Sequence, residues 1–274
     1  MSGKFDVLIV GGGPAGISAA LTARNRGKSV GVIKNPSETS NLHKAELIKN
    51  YPGMALSGAE MIESFTAQLN DCGAEIIEGK ALSIMPLGKS MGVAVGNDFY
   101  ESTSVIICTG MGRRALCDGE TQFLGRGVSY CATCDGMLYK GKNVAVIGDS
   151  KEAEDDAQFL RDIGCNVECF TGKEKLDISG GMKADTLTVN GQEYKTDCIF
   201  ILKESLSVEN LVSGIKCTNG RIDVDRKQKT NIQGVFAAGD CTGAPYQLAK
   251  AVGEGNVAAL SACEYIAEIK KGEK

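Results

Sequence analysis

The sequence predicts an α/β chain of two three-layer units, each a sheet covered by helices on both faces. Three observations predict it. The apolar run Phe5–Val10 leads straight into Gly11-Gly12-Gly13-Pro14-Ala15-Gly16, which fits G-x-G-x-x-G between a strand and a helix. The interval from Gly11 to Gly27 recurs from Gly148 to Gly164, each copy flanked by apolar strands. The 274 residues are enough for two compact domains.

Composition narrows the class. Hydrophobic residues make up 43% and charged residues 23%, the balance of an ordinary soluble protein. A net charge of -4 argues against a nucleic-acid footprint. No apolar run approaches the roughly 20 residues of a membrane span. Val7–Val10 is too short for a signal peptide and runs directly into glycines. Of the 11 cysteines, Cys108, Cys165, Cys169, Cys198 and Cys263 sit in apolar stretches, where a small buried hydrophobe is the expected role. With no export signal, a reducing cytoplasm is expected.

Phe5–Val10 reads as a buried strand, a helix as running from about Ile17 to Arg26, and Ser29–Ile33 as the second strand. Gly11 permits the tight turn, Gly13 lets the backbone approach a pyrophosphate, and Gly16 lets helix and strand pack closely. The helix start then receives the anion. The acid that would meet an adenosine ribose is absent, because Lys34 follows the strand.

A loop is expected over Asn35–Lys49, followed by Asn50-Tyr51-Pro52-Gly53. An amphipathic helix starts near Ser57 and runs to Asp71. Short strands at Glu75–Ile77, Ile84–Met85, Gly92–Val95 and Phe99–Glu101 read as a β-meander. Val105–Cys108 is a strand ending in the small-residue turn Thr109-Gly110, which lets a backbone touch a bound ring or phosphate.

The stretch from Val128 to Gly136 holds Cys131-Ala132-Thr133-Cys134-Asp135. Two cysteines at this spacing can close a small, reducible disulfide. A helix starting here would stabilise a thiolate through its amides and dipole. Half of a zinc site is the other reading, but zinc sites normally need four ligands. The chain has no second C-x-x-C and one histidine, His43, so redox chemistry is preferred and no metal is expected.

Asn143–Ile147 opens the second copy of the repeat. Where the first copy has Gly11, Gly13 and Gly16, this one has Gly148, Ser150 and Ala153. Serine at the second position blocks the approach of a pyrophosphate. Glu152, Glu154, Asp155 and Asp156 occupy the first helical turns, in the field an anion would use. No arginine cluster follows the strand Val167–Phe170, where a 2′-phosphate would need one. This half reads as scaffold. Lys203–Ser207 reads as a polar return linker and Ile222–Val224 as a strand. Gly234–Asp240 is an apolar strand ending in Gly239-Asp240; the carboxylate suits either polyol hydroxyls or a simple turn. Gln247 precedes a helix from about Leu248 to Ile269, in which Gly253 and Gly255 allow close approach.

Together these motifs resemble the low-molecular-weight thioredoxin reductases over nearly the whole chain. The matches, in order, are Gly11–Gly16, Asn50–Gly53, Thr109-Gly110, Gly127–Gly136 and Gly234–Asp240. The resemblance implies two Rossmann-like domains of the FAD/NAD(P)-binding type, the second inserted in the first and shortened. It places the FAD domain at 1–112 and 206–274, the inserted disulfide domain at 113–205, and usually a homodimer. It also implies FAD held by Gly11, Gly13, Pro14, Ala15 and Gly16, by Lys34, Asn35 and Asn41, and by Asn50. Thr109, Gly110, Gly239, Asp240, Gln247 and Leu248 complete the carried-over contacts. Asn41 stands where the family usually has glutamine, and Tyr246 where it has arginine.

The broken second glycine motif and missing arginines resemble the pyridine-nucleotide-independent branch, the ferredoxin-dependent flavin thioredoxin reductases. That branch implies electrons passing from reduced ferredoxin to FAD, then to the Cys131–Cys134 disulfide, then to thioredoxin. By resemblance Cys134 faces the flavin, Cys131 attacks thioredoxin, and Asp135 shuttles the proton. Ferredoxins are generally acidic, so a basic patch is expected at Arg24, Arg26 and Lys28 or at Arg113 and Arg114, which otherwise read as solvated surface. Three other readings remain: an NADPH-dependent thioredoxin reductase, a dithiol oxidase using oxygen, and a non-catalytic flavoprotein redox sensor.

Overall fold

The computed structural model describes residues 3–36, 41–110, 116–120, 122–130, 132–202 and 208–272, with backbone only at Asn41, Lys44, Thr133, Cys134 and Glu152. The chain divides into two compact units, 1–112 with 211–274, and 113–210. The expected return point between 205 and 206 lies outside the described residues.

In the first unit, β1 (Gly3–Val10) is buried over its last four residues, the pattern of a strand covered on both faces. It pairs in parallel with β2 (Val30–Lys34) through the crossover helix α1 (Pro14–Asn25). α1 begins at Pro14 rather than Ile17, because proline is pre-set for the first helical position and lacks the amide that would go unpaired there. The loop expected over Asn35–Lys49 is partly structured. A 3₁₀ turn spans Asn41–Lys44, and β3 (Ile48–Tyr51) forms an antiparallel hairpin with β4 (Met54–Leu56). Neither strand is long enough to show an alternating pattern.

Helix α2 (Gly58–Asp71) starts on a capping box. Ser57 Oγ accepts the Glu60 amide at 3.3 Å, and the Glu60 carboxylate accepts the Ser57 amide at 2.8 Å. Hydrogen bonds from the Ser57 hydroxyl and amide hold the Glu60 carboxyl below its ordinary pKa.

The predicted meander needs correcting. β5 (Glu75–Glu78) pairs in parallel with β2 at the edge of the main sheet. Only β6 (Ala81–Leu87), β7 (Ser90–Val95) and β8 (Asp98–Ile107) run antiparallel in sequence. β8 is also one strand, not two. The polar stretch Glu101–Ser104 hides its continuity, since both serines are buried and satisfied by backbone. Ser102 Oγ donates to Ser104 O at 2.9 Å, and Ser104 Oγ donates to Gly234 O at 3.0 Å.

The second unit contains β9 (Val128–Ser129), α3 (Ala132–Asp135), β10 (Asn143–Ile147), α4 (Lys151–Asp162), β11 (Asn166–Phe170), β12 (Leu176–Gly180), β13 (Ala184–Val189), β14 (Gln192–Lys195) and β15 (Cys198–Ile201). A four-stranded parallel sheet has the order β11-β10-β15-β9, and β12-β13-β14 form an antiparallel sheet. Val144, Val146, Ala153, Ala157, Leu160 and Phe200 form its core. The helix expected at the cysteine pair is a single α-turn, continued by a 3₁₀ turn at Gly136–Tyr139.

The chain then passes through α5 (Val208–Leu211), β16 (Cys217–Thr218), β17 (Arg221–Ile222), β18 (Val235–Ala237) and α6 (Leu248–Lys271). The strand expected at Ile222–Val224 is the two-residue β17, paired with β16. β18 lies parallel to the second half of β8. α6 packs on α1 so closely that a Cβ at Gly255 would stand 2.1 Å from the Ala15 carbonyl oxygen. Ser18 Oγ donates to Val252 O at 2.7 Å, stitching the two helices at that crossing.

Candidate active site

Sheet register brings three distant turns together. Val10 pairs with Ile107, and Ile107 with Ala237, so β1, β8 and β18 end side by side. The turns that follow are Gly11–Gly16, Cys108–Gly110 and Ala238–Asp240. An α/β sheet binds ligands at this carboxyl edge.

The glycines of the first turn serve different ends. Gly11 has φ 116°, and a Cβ there would lie 2.2 Å from the Cys108 carbonyl oxygen. A Cβ at Gly16 would lie 1.9 Å from the Gly11 carbonyl oxygen. A Cβ at Gly13 would meet nothing within 4 Å. The turn is therefore tight at its ends and open in its middle. No side chain caps α1 and no acid occupies its first turn, so its amides and dipole stay available to an anion.

The other predicted contacts line the same unit. Pro14 and Ala15 open α1. The Lys34 side chain lies against Gly12, whose Cβ would stand 3.1 Å from Lys34 Cγ. Asn35 follows it at the end of β2. Asn50 Nδ2 donates to Gln247 Oε1 at 3.1 Å, across 197 residues of sequence. Leu248 is the first residue of α6. Gly110 (φ 68°) has open space around it, and Gly239 (φ 90°) brings its backbone against Ala15. Burial raises the pKa of Asp240, opposed by the charges of Lys250 and Arg221 and reinforced by Glu254. The Asn41 side chain lies outside the described residues. Thr109 Oγ1 is buried without a hydrogen-bond partner, which is the condition of a group awaiting a ligand.

Sequence reasoning missed two features. Lys250 and Glu254 form a half-buried ion pair at the Asp240 turn; the only signal was opposite charge at i,i+4 on a helix. Arg221 lies over the Tyr246 ring at 5.4 Å and donates through Nε to its hydroxyl at 3.2 Å. A cation from β17 thus stands beside the position where the resembled family carries arginine.

The second cradle differs at the matching atoms. Ser150 Oγ accepts the Ala153 amide at 3.2 Å, so a side chain already caps α4. Gly148 is tight as its counterpart Gly11 is, since a Cβ there would lie 2.6 Å from Ala153 Cβ and 2.8 Å from the Leu202 carbonyl oxygen. Glu154 and Asp155 are exposed on the first turns, and Lys173 pairs with Asp149 at 3.0 Å. Arg161 donates to Cys169 Sγ at 3.1 Å.

Cys131 and the Cys134 side chain lie outside the described residues. Their surroundings are described. Ser129 Oγ donates to Asp135 Oδ2 at 2.7 Å. The Tyr130 hydroxyl donates to Glu120 Oε1 at 2.9 Å and accepts from Asn210 Nδ2 at 2.9 Å. Glu120 is 1% exposed, and burial followed by its negative charge pushes the Tyr130 phenol up. Burial also pushes the Cys198 and Cys241 thiols up to about 12, so neither is a thiolate at neutral pH. His43, the chain's single histidine, belongs to the other unit.

Of the expected basic patch, Arg24 is committed to backbone, donating to Cys72 O at 3.1 Å and Lys28 O at 2.8 Å. Arg26 is exposed and Lys28 half-buried, while Arg113 and Arg114 lie outside the described residues. Among the described residues no helix is long and apolar enough to cross a membrane.

An open glycine turn in one unit and a C-x-x-C-D segment in the other define a class, the flavin-dependent disulfide oxidoreductases. The family described as pyridine nucleotide-disulphide oxidoreductase matches residues 5–179 and 166–255, and the chain belongs to it. It is similar to thioredoxin reductase of Bacillus subtilis, 29% identical over 97% of this chain and 96% of that protein. It is also similar to the F subunit of alkyl hydroperoxide reductase of Escherichia coli, 30% identical over 97% of this chain and 59% of that protein. Among solved structures it resembles a ferredoxin-flavin thioredoxin reductase from Clostridium acetobutylicum, with TM-score 0.89 and 39% identity over 98% of this chain and 99% of that one. A thioredoxin reductase from Gloeobacter violaceus superposes with TM-score 0.79 at 27% identity, over 97% of this chain and 95% of that one. The chain is a thioredoxin-reductase-type flavin disulfide oxidoreductase, and its cofactor is FAD. The open space at Gly13 and the orphaned Thr109 hydroxyl fit that group.

Proposed function

We propose that this protein passes electrons from reduced ferredoxin, through FAD and the Cys131–Cys134 disulfide, to thioredoxin. The observation that carries the choice of donor is the cap on α4: Ser150 occupies an amide that a pyridine nucleotide's pyrophosphate would use. The similarity to a ferredoxin-flavin thioredoxin reductase supports the same donor. Bound FAD supplies a carrier that accepts electrons one at a time and delivers them as a pair.

The chain's residues do the rest. Gly11, Gly13, Pro14, Ala15 and Gly16 would hold the pyrophosphate of FAD at the start of α1. Lys34, Asn35, Asn41, Asn50, Thr109, Gly110, Gly239, Asp240, Gln247 and Leu248 would supply its remaining contacts. The electron pair breaks the Cys131–Cys134 bond. The Cys131 thiolate then attacks the thioredoxin disulfide, giving a mixed disulfide and releasing one thioredoxin thiolate. Cys134 attacks Cys131 in that mixed disulfide, which restores the intramolecular bond and frees dithiol thioredoxin. Asp135, oriented by Ser129, carries the proton that balances each thiolate. A cytoplasmic homodimer is the form we assign to the enzyme.

Anaerobic titration of the yellow protein tests the donor. Reduced ferredoxin should bleach the flavin absorbance and NADPH should leave it unchanged. Rapid turnover with NADPH and thioredoxin defeats the proposal and restores an NADPH enzyme. Cys131→Ser or Cys134→Ser should abolish transfer to thioredoxin while leaving FAD bound; retained transfer removes the cysteines from the site.

A further inference from the structure

The turn that presents Asp240 is clamped by two charges. Lys250 and Glu254, one turn apart on α6, form an ion pair at 3.2 Å with side chains only 15% and 19% exposed. Lys250 Nζ donates to the carbonyl oxygens of Gly239 at 2.9 Å and Gly243 at 2.6 Å, and to Thr242 Oγ1 at 2.9 Å. Glu254 Oε2 accepts the Gly239 amide at 2.9 Å and lies 2.9 Å from Thr242 Oγ1. The Thr242 hydroxyl has one proton, shared between Glu254 Oε2 and the Gly239 carbonyl oxygen at 2.7 Å. Both polar groups of the Gly239 backbone are therefore held, one by each charge. Gly239 itself has φ 90°, a conformation that side chains other than glycine's rarely adopt, and its backbone abuts Ala15 at the start of α1.

Burying two charges is a poor way to gain stability, because desolvation offsets their attraction and well-packed apolar residues usually serve as well. What the pair does provide is a single shape for the turn. We infer that Lys250 and Glu254 are positioning residues of the FAD site. They set the Gly239–Asp240 peptide in the conformation that receives the cofactor, so binding does not have to order the turn. Neither residue needs to touch FAD, and the inference holds whichever donor reduces it.

The test uses full-length holoprotein and follows FAD release by the rise in flavin fluorescence on dilution. Lys250→Met and the isosteric Glu254→Gln should each release FAD about ten-fold faster or more (about 1.4 kcal/mol), with far-UV circular dichroism unchanged. The double variant should lose less than the sum of the single losses, because the partners share one network. Lys250→Arg, which keeps the charge, should recover most of the parent's retention. Release within about two-fold of the parent in both single variants overturns the inference. So does flavin loss that only tracks loss of secondary structure, which would assign the pair to stability alone.

Discussion

Gly13 and Gly16 belong to one turn and answer to opposite constraints. Gly13 has φ -84°, open to any residue, and vacant space where its Cβ would go. Gly16 faces a backbone carbonyl at 1.9 Å from its would-be Cβ. Gly13→Ala should therefore fold normally and lose FAD affinity by about 1–3 kcal/mol, since the added methyl crowds only the cofactor. Gly16→Ala should fail to accumulate as folded protein, because a carbonyl cannot give way as a side-chain tip can. Flavin retention beside a circular-dichroism melt separates the two outcomes. Equal folding of both would refute the assignment of Gly13 to the cofactor and Gly16 to packing.

Asp240 carries a pH signature in flavin-free protein. Burial raises its pKa in the folded chain above the ordinary 3.8, despite Lys250 and Arg221. The folded state then binds more proton than the unfolded state between these two values. Ionised Asp240 costs stability above that window, and the cost is relieved as pH falls through the raised value toward 3.8. Asp240→Asn should raise the melting temperature of flavin-free protein at neutral pH, and the gain should shrink as pH falls through the window. A gain independent of pH would show that the carboxylate is not destabilised by burial. If Asp240 accepts polyol hydroxyls as proposed, flavin retention should fall in the same variant, because a neutral amide oxygen is a weaker acceptor than a carboxylate.

At the scale of the element, α1 and α4 are two copies of one design with different caps. α1 leaves its first amides to a ligand, whereas α4 satisfies one of its own through Ser150. Ser150→Ala should cost ~1 kcal/mol of stability, the usual worth of a serine cap. Ser150→Gly should cost only a few tenths and free the amide. It should still leave the flavin unbleached by NADPH, because Glu154 and Asp155 still flank the helix start and no arginine cluster follows β11. Bleaching of that variant by NADPH would mean that one hydroxyl had been the whole barrier. The broken glycine spacing and the acids of the second copy were legible in sequence, since both are local properties, whereas the Ser150 cap emerged from the structure. The single turn of α3 was not, because helix length at the cysteine pair depends on what the following Gly136 packs against, and its would-be Cβ stands 2.8 Å from Leu160.

At the scale of the molecule, the repeat and its strands were readable because period and apolar runs survive in one dimension. The pairing of those strands was not. β5 looked like the start of a meander, yet joins β2 in parallel at a sheet edge. β8 looked interrupted by two serines; Ser102 is satisfied within the strand, but the Ser104 hydroxyl is satisfied only once Gly234 lies alongside. The sequence by itself determined the α/β class, the open first turn and the obstructed second one, since each depends on residues within a few positions of one another, and it carries the C-x-x-C-D segment on which the proposed disulfide chemistry rests. Only the tertiary structure decided that Asn50 meets Gln247, that Arg221 covers Tyr246, and that Lys250 and Glu254 grip Gly239. The physical reason is range. Steric and capping preferences act along the chain, but a hydrogen bond between distant side chains exists only after strand register has carried both to the same edge.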